Sequence, residues 1–298
     1  MYTLTKSAVR VAGRALAAGE KSLRRYAHKY SPKLYTQPQL FACLVLKVFF
    51  KTDYRGVTIL LEELSDLADT LGLDRTPHWT TLQKASRRLL SLRRADRLLT
   101  FTVRRLLGRR RRVKRAAFDS TGLDCGRRSY YYIRRRSKGA SAKQKVRYSR
   151  YAKLEAAFEC DTHILIAAIP RRGPAVDTDR FVPLLEAVLK RVKLTTALAD
   201  AGFDSEPNHC YAREERGVRS VIPATAGRPT TKPPSGRYRR LMKQRLDKDY
   251  GQYGQRWQAE TGNSMIKRRL GSAVQGHSYW SQCRELLLLA LTYNLMLD

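Results

Sequence analysis

Leu198-Ala199-Asp200-Ala201-Gly202-Phe203-Asp204-Ser205 opens as an apolar run, halts on a carboxylate and turns at once. An earlier stretch, Ala117-Phe118-Asp119-Ser120-Thr121, follows the same plan. Short apolar runs bounded by turn formers read as buried strands. Strands are therefore expected over 113–119 and 195–199, each ending on an Asp. In α/β sheets such strand ends are where ligands and metals bind. Outward from these anchors, 154–169 reads as sheet, 179–190 as helix, 206–216 as helix and 218–223 as a further strand. Residues 224–240 read as a Gly/Pro/Lys/Arg-rich loop, 250–270 as a long helix and 279–297 as a buried C-terminal helix. Ahead of the first strand, 37–108 is rich in helix formers, with Leu40, Cys43, Leu44 and Val48 on one face. Residues 1–30 are basic and weakly patterned. The order predicts an α/β fold, a mixed sheet flanked by helices, preceded by an all-α N-terminal domain, divided as 1–108 and 109–298.

Charge narrows the partner. The 298 residues carry 59 Lys+Arg against 26 Asp+Glu, a formal net charge of +33. A balance this basic argues for a polyanion and against an ordinary metabolic enzyme. Residues 101–150 alone carry +16, interleaved with Tyr130, Tyr131, Tyr132, Tyr148 and Tyr151. Cations neutralise phosphates and aromatic rings stack on bases, so nucleic acid is the expected partner. Arg109, Arg110, Arg111 and Arg112 open this stretch. Upstream, a turn at 74–78 leads into a helix bearing Lys84, Arg87 and Arg88, a pattern compatible with helix-turn-helix DNA binding. The longest apolar runs, 40–50 and 286–297, fall short of the roughly 20 residues that span a bilayer, and no secretory signal is evident. The five cysteines are dispersed without a CxxC pair, so neither a disulfide framework nor a zinc site is expected.

The third feature is Tyr253-Gly-Gln-Arg256-Trp-Gln-Ala-Glu260, continuing to Lys267. On a continuous α-helix Tyr253, Arg256, Glu260 and Lys267 would project at about 0°, −60°, −20° and −40°, within one narrow face. An ordinary i,i+4 ion-pair ladder would have the same appearance, and a strand-end Asp often caps the segment after it. Together, however, Asp119, Asp200 and Glu260 form an oxygen donor set suited to Mg²⁺ or Mn²⁺. Two such ions can serve phosphodiester chemistry. Asp204 competes with Asp200, and Asp124 with Asp119. Asp200 and Asp119 are preferred because each directly follows the apolar run. His163 reads as a core or surface histidine. Trp257 reads as a packed helix-face residue in preference to one that stacks on a displaced base.

The spacing Tyr253-x2-Arg256-x3-Glu260-x6-Lys267, with the two Asp segments before it in order, resembles the Tyr-Arg-Glu-Lys signature of insertion-sequence DDE transposases, families 4 and 5. The resemblance covers roughly residues 30–298. It implies an RNase H-like catalytic domain, with Asp119 on the first strand, Asp200 after the fourth and Glu260 on the late helix, the three holding two Mg²⁺ ions. It further implies that Tyr253, Arg256 and Lys267 grip the element's ends. The activity implied is DNA transposition: hydrolytic cleavage at inverted-repeat ends, then attack of the freed 3′-OH on target DNA. Its partner would be double-stranded DNA, bound by a homodimer, in the cytoplasm and on the nucleoid of a prokaryote. The 60-residue spacing from Asp200 to Glu260 leaves little room for the β-rich insertion some relatives carry. A metal-dependent nuclease or resolvase with the same core, or a non-catalytic DNA-binding relative, remain the alternatives.

Overall fold

The computed structural model describes residues 3–108, 111–125, 150–224, 233–246 and 250–298, with isolated positions 131, 134, 135, 138, 139 and 141. By their contacts the residues fall into two units, one comprising Leu107–Met265 and the other Tyr2–Leu106 together with Ile266–Asp298.

The first unit is built on a mixed sheet. Strands β1 (Arg112–Cys125), β2 (Tyr151–Glu159), β3 (Leu165–Gly173), β4 (Lys193–Ala199) and β5 (Arg219–Val221) lie in the order β3-β2-β1-β4-β5. The pairs β1–β2 and β2–β3 are antiparallel, whereas β4 runs parallel to β1 and β5 parallel to β4. Strand β1 is longer than expected and does not end at Asp119. Its pairing with β4 stops at Phe118↔Ala199, but its pairing with β2 continues from Asp119↔Ala156 to Leu123↔Ala152. Strand β2 explains the difference, because it supplies hydrogen-bond partners beyond the point where β4 turns away.

Each face of this sheet is covered by a helix. Phe118 meets Phe181 of helix Phe181–Leu189 at 5.5 Å, and Phe181 meets Phe203 at 6.4 Å. On the opposite face, where Ala117 and Asp119 project, helix Trp257–Leu270 approaches closely. Ala117 pairs with Phe158 across β1–β2, and Gly262 rests on that ring. A Cβ at Gly262 would lie 2.5 Å from Phe158 Cε1. A second tie joins the buried His163, in the β2–β3 turn, to Gln258 of the same helix. His163 is thus a core histidine.

The expected long helix at 250–270 is interrupted. Tyr250–Tyr253 is α-helical, Gly254–Arg256 is a 3₁₀ turn and the α-helix resumes at Trp257. Gly254, a poor helix former, sits at the break. In the expected loop 224–240, residues 225–232 lie outside those described, and Arg237–Arg245 is helical.

The second unit is helical. Residues Ala8–Ser22 form a helix capped by Ser7, whose side chain accepts from the Arg10 backbone N–H. Its inner face is made of small residues, Val11, Ala12, Ala15, Ala18 and Gly19, which give little hydrophobic contrast in the sequence. A Cβ at Gly19 would meet Pro38 Cα at 2.7 Å, so the glycine permits a close crossing with helix Gln37–Phe49. Further helices span Tyr54–Glu63, Ser65–Thr70, Trp79–Leu89 and Leu92–Leu107. Helix Tyr279–Met296 buries Leu286 through Met296 in this unit. Within it Asn294 donates to Thr102 at 3.2 Å, both fully buried. None of the described helices is long and apolar enough to cross a membrane.

Gly262→Ala tests the seating of helix Trp257–Leu270. Alanine raises helix propensity by about 1 kcal/mol, whereas overpacking costs about 1–3 kcal/mol. Net destabilisation is expected in urea unfolding; a gain in stability would mean that the helix does not sit on Phe158.

Candidate active site

Because Phe118 and Ala199 are register partners on parallel strands, the next residues, Asp119 and Asp200, stand side by side. Neighbouring strands run about 4.8 Å apart, and both residues project to the same face. Asp119 is half-buried; Asp200 is exposed. The turn Gly254–Arg256 touches both β1 and β4 and so lies over this pair. In a 3₁₀ turn, residues three apart eclipse. Tyr253 and Arg256 therefore stack, with the guanidinium 6.0 Å from the ring centroid. Arg256 Nη2 then donates to Glu260 Oε1 at 2.5 Å, one helical turn on.

The electrostatics bring these groups together. Burial raises the Asp119 carboxyl above its usual range; hydrogen bonds from Ser120 and Asn263 and the charge of Arg256 oppose this, and the Glu260 charge adds to it. Arg256 also feels Tyr253, Glu260 and Asp200, which together hold it above its ordinary value despite the desolvation that acts to lower it. Burial raises the Tyr253 phenol, with Arg256 opposing. One cation thus interacts with all three predicted acids.

The carboxylates are not assembled into a ready metal cage. Asp200 Oδ1 accepts from the Ala201 backbone N–H at 2.7 Å, capping its own turn, and Glu260 is engaged by Arg256. Among the described residues no group of three or more His, Cys, Asp or Glu side chains is placed to hold a metal ion. The donor chemistry nevertheless suits a hard cation. All three residues offer carboxylate oxygens, and Asp200 and Glu260 are accessible.

Neighbouring acids are committed elsewhere. On the opposite face Asp177 accepts from Ser120 Oγ at 2.9 Å and pairs with the buried Lys153. Arg171 holds Glu155 at 3.3 Å and Asp179 by a bidentate pair at 3.0 Å. Asp204, weighed against Asp200, has a fully buried side chain bonded to Arg239 Nε at 2.9 Å and Nη2 at 2.8 Å. Asp124 is exposed, further along β1.

Among the expected DNA contacts, Lys267 is part-exposed on helix Trp257–Leu270, two turns beyond Glu260. Arg111, Arg112, Lys84 and Arg87 are exposed and Arg88 is half-buried; Arg109 and Arg110 lie outside the described residues, as does most of 126–149. Trp257 is 53% exposed, contrary to the packed position expected for it. Two features went unread in the sequence. One is Asn263, whose side chain donates to Asp119 Oδ2 at 2.9 Å. The other is a cavity of about 410 Å³ in the helical unit, lined by Arg24, Arg93, Arg94 and Arg97.

A family model described as a transposase DDE domain matches residues 114–295. The chain belongs to the transposase DDE domain family. The matched span contains Asp119, Asp200, Tyr253, Arg256, Glu260 and Lys267. No curated protein matches the chain. Among solved structures, the Mos1 strand transfer complex matches at 15% identity over 92% of this chain and 79% of that one, with a TM-score of 0.24. A pre-cleavage Mos1 transpososome matches at 15% identity over 92% and 82%, with a TM-score of 0.21. TM-scores below 0.5 do not by themselves indicate a common fold.

In this DDE-family chain the Asp204 cluster has a structural consequence. His209 is fully buried, bonds Ser220 Oγ through Nδ1 at 2.7 Å and stands 3.8 Å from Asp204. Burial, reinforced by Arg213, lowers its pKa to about 4. The unfolded chain binds this proton near pH 6.5, so between those values it takes up more protons than the folded chain. Stability is therefore full above pH 6.5 and falls as pH drops toward 4, by at most about 3 kcal/mol. Thermal unfolding across this window should show the loss, and His209→Gln should flatten it.

Proposed function

We propose that this protein is a DNA transposase whose Asp119, Asp200 and Glu260 form the catalytic carboxylate set on an RNase H-like core. The observation that carries the reading is the register Phe118↔Ala199, which sets the two Asp residues side by side under the turn bearing Arg256. The strand order, with three antiparallel strands and two more parallel to the first, supports the RNase H-like reading. Asp119, Asp200 and Glu260 would hold Mg²⁺, or Mn²⁺ in its place, as two ions. Bound there, the metal would supply Lewis-acid stabilisation of charge in phosphoryl transfer. Arg256 would exchange its bond with Glu260 for a DNA phosphate, releasing that carboxylate. Tyr253 and Lys267 would hold the same strand, Tyr253 beside Arg256 and Lys267 about 10 Å along the helix axis.

The net charge of +33 supports double-stranded DNA as the partner. Lys84, Arg87, Arg88 and the cavity formed by Arg24, Arg93, Arg94 and Arg97 would contact the backbone of the element's inverted repeats. The stretch beginning at Arg109, Arg110, Arg111 and Arg112 would add non-specific grip. Paired ends call for a homodimer on DNA, acting at the nucleoid in a prokaryotic cytoplasm.

Cleavage and joining of labelled end DNA in Mg²⁺ tests the reading. Asp119→Asn, Asp200→Asn and Glu260→Gln should each abolish cleavage while sparing DNA binding. Unchanged cleavage in any of them would remove that residue from the set. Pre-cut ends should join to target DNA; cleavage without joining would make the protein a nuclease. Lys267→Ala should weaken end binding uniformly across sequences and lower the salt slope by about 1.

A further inference from the structure

We infer that Asn263 is a positioning residue for Asp119: its side-chain amide fixes the carboxylate in the orientation needed to hold a divalent cation. The inference rests on the metal-site reading above. Asn263 is 4% exposed, and its Nδ2 donates to Asp119 Oδ2 at 2.9 Å. Among the described residues its buried Oδ1 has no hydrogen-bond partner.

That combination is informative. A buried amide with one end unsatisfied is unfavourable, and an apolar side chain of similar size would avoid the penalty. Among the described residues the one hydrogen bond of this side chain goes to Asp119. The packing around it serves the same contact. Ala259 and Gly262 are the buried small residues of the helix, and Gly262 lets it settle on Phe158. A helix held further off would leave Asn263 short of β1. Asn263 also lies three residues after Glu260, so a single rigid helix carries one proposed metal ligand and orients another. Ligating carboxylates are commonly held by such outer hydrogen bonds, and losing one weakens metal binding about 10–100-fold.

Asn263→Leu separates orientation from packing, because leucine keeps the volume and removes both the donor and the orphaned acceptor. Mn²⁺ binding to the full chain, read by electron paramagnetic resonance of the free ion, should weaken about tenfold or more. The urea midpoint should hold or rise, and DNA affinity should not change. Cleavage lost at low Mn²⁺ should return at high Mn²⁺, which a misfolded variant could not achieve. Should leucine lower the midpoint, Asn263→Ser provides the comparison in a smaller side chain. Wild-type Mn²⁺ affinity in a folded variant overturns the inference. Asp119→Asn is run in parallel. If it abolishes Mn²⁺ binding while Asn263→Leu leaves it intact, only the role of Asn263 fails. If Asp119→Asn also binds normally, the metal-site reading fails and the inference with it.

Discussion

The parallel pairing of β1 with β4 is the constraint on which the rest of the site depends. Parallel neighbours cannot be joined by a tight turn and need a long crossover. Here β2, β3 and helix Phe181–Leu189 intervene, and β2 pairs with β1 on the edge away from β4. Side chains alternate along a strand, so a slip of one residue would send Asp119 and Asp200 to opposite faces. Phe118 and Ala199 make such a slip costly. Both are fully buried, and shifting either strand would expose its apolar set or bury its carboxylate. The core thereby sets the spacing of two charged groups that contribute little to it.

Burial and the nearby charge of Glu260 both disfavour the Asp119 carboxylate. The structure offsets this locally. Arg256 is brought to the two Asp residues by a short 3₁₀ turn and interacts with Asp119, Asp200 and Glu260 together. The wider charge of the chain works in the same direction, but exposed charges more than about 10 Å away are screened at ordinary ionic strength. The near guanidinium therefore decides the field at the site. Other acids in the unit, Glu155, Asp177, Asp179 and Asp204, have nearby Lys or Arg partners outside this group.

Part of the candidate site's geometry was legible in the sequence, because an apolar run ending on Asp reports a buried strand and a carboxylate set at its edge. The Phe118-Asp119 and Ala199-Asp200 junctions carried that signal. The extent of β1 was not legible, since residues after Asp119 are held by β2, a partner 29 to 35 positions away. Helix Ala8–Ser22 escaped notice because its buried face is alanine and glycine, residues that pack closely without contrasting with their neighbours in hydropathy. The break at Gly254 changed the geometry of the Tyr253–Arg256 pair from neighbours on an α-helical face to an eclipsed stack. Asn263 had no signature at all. A single Asn on a helix is ordinary, and only the proximity of β1, permitted by Gly262, gives it a partner.

Arg256 makes the site conditional on what else is bound. As the chain stands, its bond to Glu260 and its proximity to both Asp residues neutralise part of three negative charges. A DNA phosphate arriving at the turn would compete for the same guanidinium, and charge-assisted pairing to phosphate is at least as favourable as pairing to an exposed carboxylate. The three carboxylates would then be left with less compensation. Their mutual repulsion is relieved by a divalent cation or by a proton, and at neutral pH the cation is the stronger competitor for groups that retain solvent access. On the proposed reading, substrate binding and metal binding would therefore favour each other through one arginine. The mutual strengthening requires only that Arg256 be able to serve either Glu260 or the phosphate, but not both at full strength.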